Sequence, residues 1–146
     1  MKTNRLVNNK KIEFYAGALV DNIYENGGKE ALVEAREQMR FIIRYMRSKP
    51  EFIGVISDDS YTGETLNNLI HNVFADFNPI LLDVVGVMTE RHDMDLLPRV
   101  YHALDRQLSD KYDVVVVDVV TAVELDDHLR EIIKNKVKND LGKDAV

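Results

Sequence analysis

The sequence predicts a mainly α-helical protein, in which an antiparallel bundle of six helices precedes the first strand and helix of an incomplete α+β domain. Up to residue 112, apolar residues recur at helical spacing in segments separated by glycine, proline and capping residues. From Val114 the pattern becomes a β-branched run, which is typical of a buried strand. The change predicts a helical domain over residues 1–112 and the start of a C-terminal domain over residues 113–146.

Composition excludes several classes of protein. Of the 146 residues 45% are apolar, which is ordinary for a globular chain, and a net charge of -6 without a Lys/Arg cluster argues against nucleic-acid binding. The absence of cysteine rules out disulfide frameworks and thiolate zinc sites. No apolar run reaches the roughly 18 residues of a membrane span, and the N-terminus lacks a signal peptide. We therefore expect a cytosolic chain without direct membrane insertion.

The first two predicted helices run from about Val7 to Asn26 and from about Lys29 to Arg47. Gly27 and Gly28 separate them, because glycine adopts the left-handed conformation that a helix end needs. The apolar stripe of the first helix contains Ile12, Tyr15, Ala16, Leu19 and Ile23. The charged residues of the second helix are expected on its solvent side: Glu34, Arg36, Glu37, Arg40 and Arg44.

Four further helices follow. Pro50 suits the first turn of a short third helix, and the fourth spans about Thr62 to Asp76. Asn78 as N-cap and Pro79 in the first turn predict a fifth helix over about residues 79–90. The sixth begins near Asp95, a candidate N-cap, and ends near residue 112.

The fifth helix is apolar on nearly every side, with Asp83 as its lone charge. Such a helix either occupies the centre of a bundle or shares a face with another molecule, and composition leaves both interpretations open. The second interpretation predicts a groove beside the first helix that receives an amphipathic helix from another protein.

The C-terminal segment predicts one strand, Val114 to Val123, and a helix capped by Asp126 and closed by Gly142. A single strand needs a ladder partner for its N–H and C=O groups, and we expect none within this sequence. We therefore expect further strands beyond the sequence, and we hypothesise a homodimer through strand 114–123.

The chain offers little catalytic chemistry. None of its four histidines lies at i, i+4 from another, and Asp58-Asp59 is more typical of a turn than of an acid/base pair. His92 with Asp93 and Glu90 is only a weak cation-site candidate. Gly27-Gly28 lacks the strand and G-K-[ST] of a phosphate loop. We predict no catalytic, cofactor-binding or metal-binding residue, although a ligand-binding or catalytic bundle with a polar-lined cavity remains an alternative.

Four motifs occur in a characteristic order: residues 15–19 (Tyr-Ala-Gly-Ala-Leu), 89–92 (Thr-Glu-Arg-His), 97–98 (Leu-Pro) and 119–125 (Val-Val-Thr-Ala-Val-Glu-Leu). In this order they resemble the delta subunit of bacterial F-type ATP synthase, the family of the mitochondrial oligomycin-sensitivity-conferring protein. The family's Asn-Gly after the fifth helix is missing, its proline before the first-helix tyrosine is Phe14 here, and its glycine-rich closing strands are absent.

The resemblance implies a non-catalytic stator subunit without a cofactor, at the cytoplasmic face of the bacterial cell membrane. It implies that the N-terminal domain holds the N-terminal helix of an alpha subunit of the catalytic head between helices one and five. The C-terminal domain would hold the end of the b-subunit peripheral stalk. Carried over by position, the groove consists of Tyr15, Ala18, Leu19, Asn22, Val84, Val87 and Met88.

Within this set we favour groove positions for Ala18 and Val87 and a core position for Leu19. The alternative function is an unrelated helical adaptor module that binds a different amphipathic peptide in the same groove.

Overall fold

The computed structural model describes residues 2–115, 135–136 and 144–145. Five helices, α1 to α5, dominate this part of the chain, and a short 3-10 turn, Met94–Leu96, precedes the last of them. The prediction of a mainly helical chain is confirmed. The bounds of the elements are α1 Lys2–Ser48, α2 Pro50–Ile56, α3 Gly63–Val73, α4 Pro79–Glu90, α5 Leu97–Tyr112, β1 Val114–Val115 and β2 Asp144–Ala145.

The contacts divide the chain into two compact units, residues 1–104 and 105–146. The boundary predicted after residue 112 stays a prediction. None of the helices in the described part of the chain combines the length and the hydropathy needed to cross a bilayer.

A break at Gly28 interrupts the 47-residue α1 helix. Gly28 has φ 72° and ψ -165°, an extended conformation with positive φ that is essentially restricted to glycine. The break lies where the sequence predicts a helix end, but the conformation differs from the left-handed helical one expected there. It divides α1 into an N-terminal arm, residues 2–27, and a C-terminal arm, residues 29–48, which correspond to the first and second predicted helices.

The start of α4 is fixed by Asn78, as predicted. Its side-chain oxygen accepts hydrogen bonds from the backbone N–H groups of Ile80 (2.9 Å) and Leu81 (3.3 Å). Its own backbone N–H donates to Oε1 of Gln38, 2.8 Å away on the C-terminal arm of α1. The cap therefore both starts α4 and attaches it to α1, and the predicted bounds of this helix are confirmed.

The expected capping role of Asp95 is wrong. Asp95 lies inside the 3-10 turn, and α5 begins only at Leu97. The residues just before this turn end α4. His92 adopts a positive φ of 57°, and the backbone N–H of Asp93 donates to the carbonyl of Met88 at 2.8 Å.

Close contact between α3 and α4 depends on Gly86. A Cβ at this position would lie 2.3 Å from Oδ1 of Asn67 on α3, so only glycine allows the two helices to approach this far. Asn67 then donates from Nδ2 to Oε1 of Glu90 at 2.8 Å. Beside this contact, Nε2 of His71 lies 3.0 Å from Oδ1 of Asp83.

An aromatic cluster joins the C-terminal arm of α1 to α2 and to the end of α3. The ring of Tyr45 packs edge-on against Phe52 at 5.2 Å and against Phe74 at 5.4 Å between centroids. Edge-to-face pairs of this kind contribute ~0.5–1.5 kcal/mol each beyond the area that they bury. Phe41 and Phe77 complete the cluster at 5.6 Å from each other.

Arg36 corrects one expectation about α1. The sequence places it on the solvent side of the second helix, whereas only 3% of its surface is exposed. Its guanidinium lies 4.9 Å from the centroid of the Tyr101 ring on α5 and pairs with Oε1 of Glu37 at 3.1 Å. A guanidinium is weakly hydrated and stacks on aromatic rings, which lowers the cost of burying Arg36.

The second unit contains a short parallel ladder. Val114 pairs with Asp144 and Val115 with Ala145, so the expectation that this strand lacks a partner within the chain is wrong for these two residues. A partner thirty residues away leaves no local signal. The homodimer hypothesis assumed an unpaired strand, and this assumption does not hold for Val114 and Val115. Residues 116–123, and the predicted helix apart from helical Asn135 and Lys136, lie outside the described residues.

Candidate partner-binding site

Asp93 connects the N-terminal arm of α1 to the end of α4. Its carboxylate accepts a hydrogen bond from the Tyr15 hydroxyl at 2.6 Å and forms an ion pair with Lys11 Nζ at 3.1 Å. The backbone N–H of the same residue donates to the Met88 carbonyl. One buried aspartate therefore holds the arm at Tyr15 against the last turn of α4.

The environment of this contact favours the neutral phenol. Burial is the main reason why the pKa of Tyr15 is raised to about 12, and the hydrogen bond to Asp93 and the charge of that carboxylate raise it further. Arg91 lowers it in part. Tyr15 therefore remains a hydrogen-bond donor throughout the physiological pH range.

The N-terminal arm has an accessible face beside its buried one. Val7, Phe14 and Ala18 recur at intervals of seven and four residues, which places them on one side of a helix. Phe14 is 69% exposed, which is unusual for a large apolar side chain, and Ala18 is half-buried. Exposed Asn22 continues this face by another turn.

The α4 helix carries a matching apolar strip. Ile80, Val84 and Val87 recur at intervals of four and three residues, and all three are half-buried. The opposite side of the helix is buried, through Leu81, Leu82, Val85 and Met88. Composition alone left open whether α4 was central or shared a face; it is buried on one side and keeps an apolar strip partly open on another.

The seven residues predicted for the groove therefore divide into two groups. Ala18, Asn22, Val84 and Val87 keep accessible surface, whereas Tyr15, Leu19 and Met88 are buried. A buried side chain can shape a groove from beneath but cannot line it. The core position favoured for Leu19 agrees with its burial.

Sequence reasoning missed two accessible residues, Phe14 and Ile80. A signal existed for both, since Phe14 lies four residues before Ala18 and Ile80 four before Val84. Phe14 lies directly beside the apolar stripe of its helix, and Ile80 is one of many apolar residues in α4, so spacing alone does not single them out.

The weak cation-site candidate does not assemble. Asp93 is engaged by Tyr15 and Lys11, and Nε2 of His92 lies 3.5 Å from Oδ1 of Asp59 instead. Within the described residues, no three His, Cys, Asp or Glu side chains group together as metal ligands. Asp58 serves a turn, because its carboxylate accepts from the backbone N–H of Ser60 at 2.9 Å, and this bond lowers its pKa.

Residues 13–146 match the model of the ATP synthase delta (OSCP) subunit family. The chain belongs to this family. It is 30% identical to ATP synthase subunit delta of a Synechococcus species over 132 residues, which are 88% of this chain and 69% of that protein. It is 28% identical to the Gloeothece citriformis subunit over 92% of this chain and 72% of that protein. The Carboxydothermus hydrogenoformans subunit is 23% identical over 88% of this chain and 71% of that protein.

The family consists of structural, non-catalytic subunits of ATP synthase, so the expectation that this chain is not an enzyme is confirmed. Membership of this family implies membership of an ATP synthase complex. The candidate site combines an arm with an exposed phenylalanine, a helix with an open apolar strip, and a buried aspartate that joins the two.

Proposed function

We propose that this delta subunit is part of the stator of an F-type ATP synthase. It links the catalytic head, through the N-terminal helix of an alpha subunit, to the b-subunit peripheral stalk. By preventing the head from turning with the central stalk, it supports proton-driven ATP synthesis without catalysing a step. The observation that carries this proposal is the match of residues 13–146 to the delta (OSCP) subunit family.

The alpha-subunit helix lies in a groove of the six-helix N-terminal domain, with the two arms of α1 counted as separate helices. Its apolar side contacts the α4 strip through Val84 and Val87, and small Ala18 allows it to approach the N-terminal arm. Asn22 hydrogen-bonds at the rim. The buried residues Tyr15, Leu19 and Met88 support the groove from below.

Two features of the surface support this choice of groove. The Tyr15–Asp93 hydrogen bond fixes the arm against the end of α4, so a partner meets a preformed surface and loses less conformational entropy. Phe14 offers a large, exposed apolar side chain next to Ala18, of the kind that serves as an anchor at protein interfaces.

The full-length C-terminal domain, to which residues 113–146 contribute the first part, holds the end of the b-subunit stalk. Through these two partners the subunit associates peripherally with the cytoplasmic face of the bacterial cell membrane. The match to the family extends to residue 146, and this range supports the second contact as well as the first.

Isothermal titration calorimetry with a peptide of the alpha-subunit N-terminus, from the same genome, tests the groove. Ala18→Asp should weaken binding by about tenfold or more, because it places an unpaired carboxylate against the apolar side of the peptide. Ala75→Asp, at an exposed position after α3, is the matched control and should bind as the unchanged chain does. Circular dichroism should give the same helicity for all three proteins.

Unchanged affinity of Ala18→Asp would count against the groove. If the alpha-subunit peptide did not bind the unchanged chain, the adaptor alternative, in which the same surface binds a different amphipathic peptide, would be favoured.

A further inference from the structure

The C-terminal arm of α1 carries a row of arginines that the proposed groove does not use. Arg36, Arg40, Arg44 and Arg47 follow at intervals of four, four and three residues, so they share one side of the helix. Arg36 is buried against Tyr101. The other three line a depression of about 260 Å³ together with Pro98, Tyr101 and His102 of α5.

This depression continues into an apolar channel. A second hollow of about 110 Å³ shares Ile43, Arg47 and Pro98 with the first and adds Met46, Ile53, Met94 and Asp95. A third, of about 430 Å³, shares those last four residues and extends along α2 to Asp59 and His92. Because each hollow shares its lining with the next, the three form one elongated trough, here called the arginine trough.

Charge is distributed unequally along the arginine trough. One end carries Arg40, Arg44 and Arg47, whereas Asp95 lines the second and third hollows and Asp59 lines the third. Exposed Arg44 and Arg47 form no ion pair with any residue in the described part of the chain. Like charges at this spacing repel one another, so an anionic partner at the basic end relieves the repulsion.

We propose that the arginine trough binds an acidic amphipathic helix of a partner protein. Carboxylates of that helix lie against the guanidinium groups, and its apolar side chains lie along Ile43, Met46, Ile53 and Pro98. Ile53 is 40% exposed, so the floor gains burial when it is covered. A phosphate or another small anion would use only the basic end and would leave the apolar floor open, so the trough favours a peptide.

The proposal goes beyond the groove of the stator function, because the two surfaces share no residue. The groove uses the N-terminal arm of α1 and α4. The arginine trough uses the C-terminal arm, α2, the turn before α5 and α5 itself, and it meets α4 only at Thr89 in the last turn. An experiment that rejects the arginine trough therefore does not reject the proposed groove, and the reverse also holds.

A fluorescence-anisotropy titration of the full chain tests the arginine trough. The probe is a synthetic helical peptide with glutamates in its first two turns, leucines at i, i+3, i+4 and i+7, and lysines in its last turn. We expect the double variant Arg44→Glu/Arg47→Glu to weaken binding by about tenfold, and added salt to weaken binding to the unchanged chain. A peptide with lysines in place of the glutamates should recover affinity for the double variant.

The matched control is Arg5→Glu/Lys10→Glu, which reverses two exposed charges on the N-terminal arm and should bind the acidic peptide as the unchanged chain does. Ala18→Asp should also leave this binding intact. The proposal is overturned if the acidic peptide does not bind, if a peptide with glutamines in place of the glutamates binds equally well, or if Arg44→Glu/Arg47→Glu has no effect. Full displacement of the peptide by inorganic phosphate at constant ionic strength would likewise overturn it in favour of a small-anion site.

Discussion

The Tyr15 hydroxyl donates a 2.6 Å hydrogen bond to Asp93, a residue 78 positions further along the chain. Its donor lies on the N-terminal arm of α1, and its acceptor lies just after α4. The same carboxylate pairs with Lys11, so a single buried acid sets the position of the arm. The geometry of the proposed groove depends on this contact, because it attaches the arm that carries Phe14 and Ala18 to the end of the helix that carries Val84 and Val87.

Tyr15→Phe should destabilise the chain by ~1–3 kcal/mol, because the buried carboxylate of Asp93 loses a donor that the phenylalanine cannot replace. Urea denaturation followed by circular dichroism measures the change. Tyr61→Phe is the control, since Tyr61 is exposed and its removal should change the free energy of unfolding by less than ~0.5 kcal/mol. Equal stability of Tyr15→Phe and the unchanged chain would show that the contact contributes nothing.

Tyr15 should also make stability fall at high pH. Its folded-state pKa of about 12 exceeds the ordinary value of 10.0, so the folded state holds the phenol proton more tightly than the unfolded state does. The resulting stability is fully present below pH 10.0 and is lost as the pH rises through about 12. Difference absorbance titration of phenolate between the unchanged chain and Tyr15→Phe should isolate one late-titrating tyrosine. A titration of Tyr15 at its ordinary value would contradict the buried contact.

His71 provides a pH-dependent contact between α3 and α4. Its ring nitrogens lie 3.0 Å from the Asn67 carbonyl and 3.0 Å from the Asp83 carboxylate, and only the imidazolium donates to both acceptors. The Asn67 carbonyl first, and then Asp83, raise the pKa above 6.5. The contribution is therefore present below pH 6.5 and is lost as the pH rises through the folded-state value.

Proton NMR titration of the imidazole should give that raised pKa, and Asp83→Asn should bring it closer to the ordinary value. The free energy of unfolding of His71→Gln should vary less with pH across this range than that of the unchanged chain. An identical pH dependence of the two proteins would argue against the contact.

Gly86→Ala should destabilise the chain by ~1–3 kcal/mol, the usual cost of overpacking. The added methyl would meet both Oδ1 and Cγ of Asn67, at 2.3 and 2.7 Å, and rotating Asn67 away would break its bond to Glu90. Gly54→Ala in α2 is the matched control, because nothing lies within 4 Å of the added atom. The control should be neutral or stabilising by ~0.5–1 kcal/mol, through helix propensity alone. A neutral Gly86→Ala would show that α3 and α4 can separate at little cost.

Local signals explain what the sequence could predict. Asn78 and Pro79 are adjacent, and their capping chemistry acts over a single turn, so the bounds of α4 follow from the sequence. Arg36 was misplaced because its burial depends on Tyr101, which comes from a helix sixty-five residues later. The pairing of Val114 with Asp144 could not be predicted for the same reason, since no residue near Val114 indicates a partner so far along the chain.

The candidate site shows the same division. Helical spacing identified the faces that contain Ala18 and Val87, and both keep accessible surface. It could not separate them from Tyr15 and Met88, because burial at the edge of a stripe depends on what packs there. The Tyr15–Asp93 contact had no sequence signal, and Asp93 was considered only as a weak cation ligand.

Chemical-shift mapping by NMR tests the central claim most directly, because it reports where the alpha-subunit N-terminal peptide lies on the full chain. If the peptide lies in the groove, we expect perturbed amides on the N-terminal arm between Phe14 and Asn22 and on α4 between Ile80 and Val87, with little change at Arg44 and Arg47. Perturbations confined to the arginine trough, or none at saturating peptide, would contradict it.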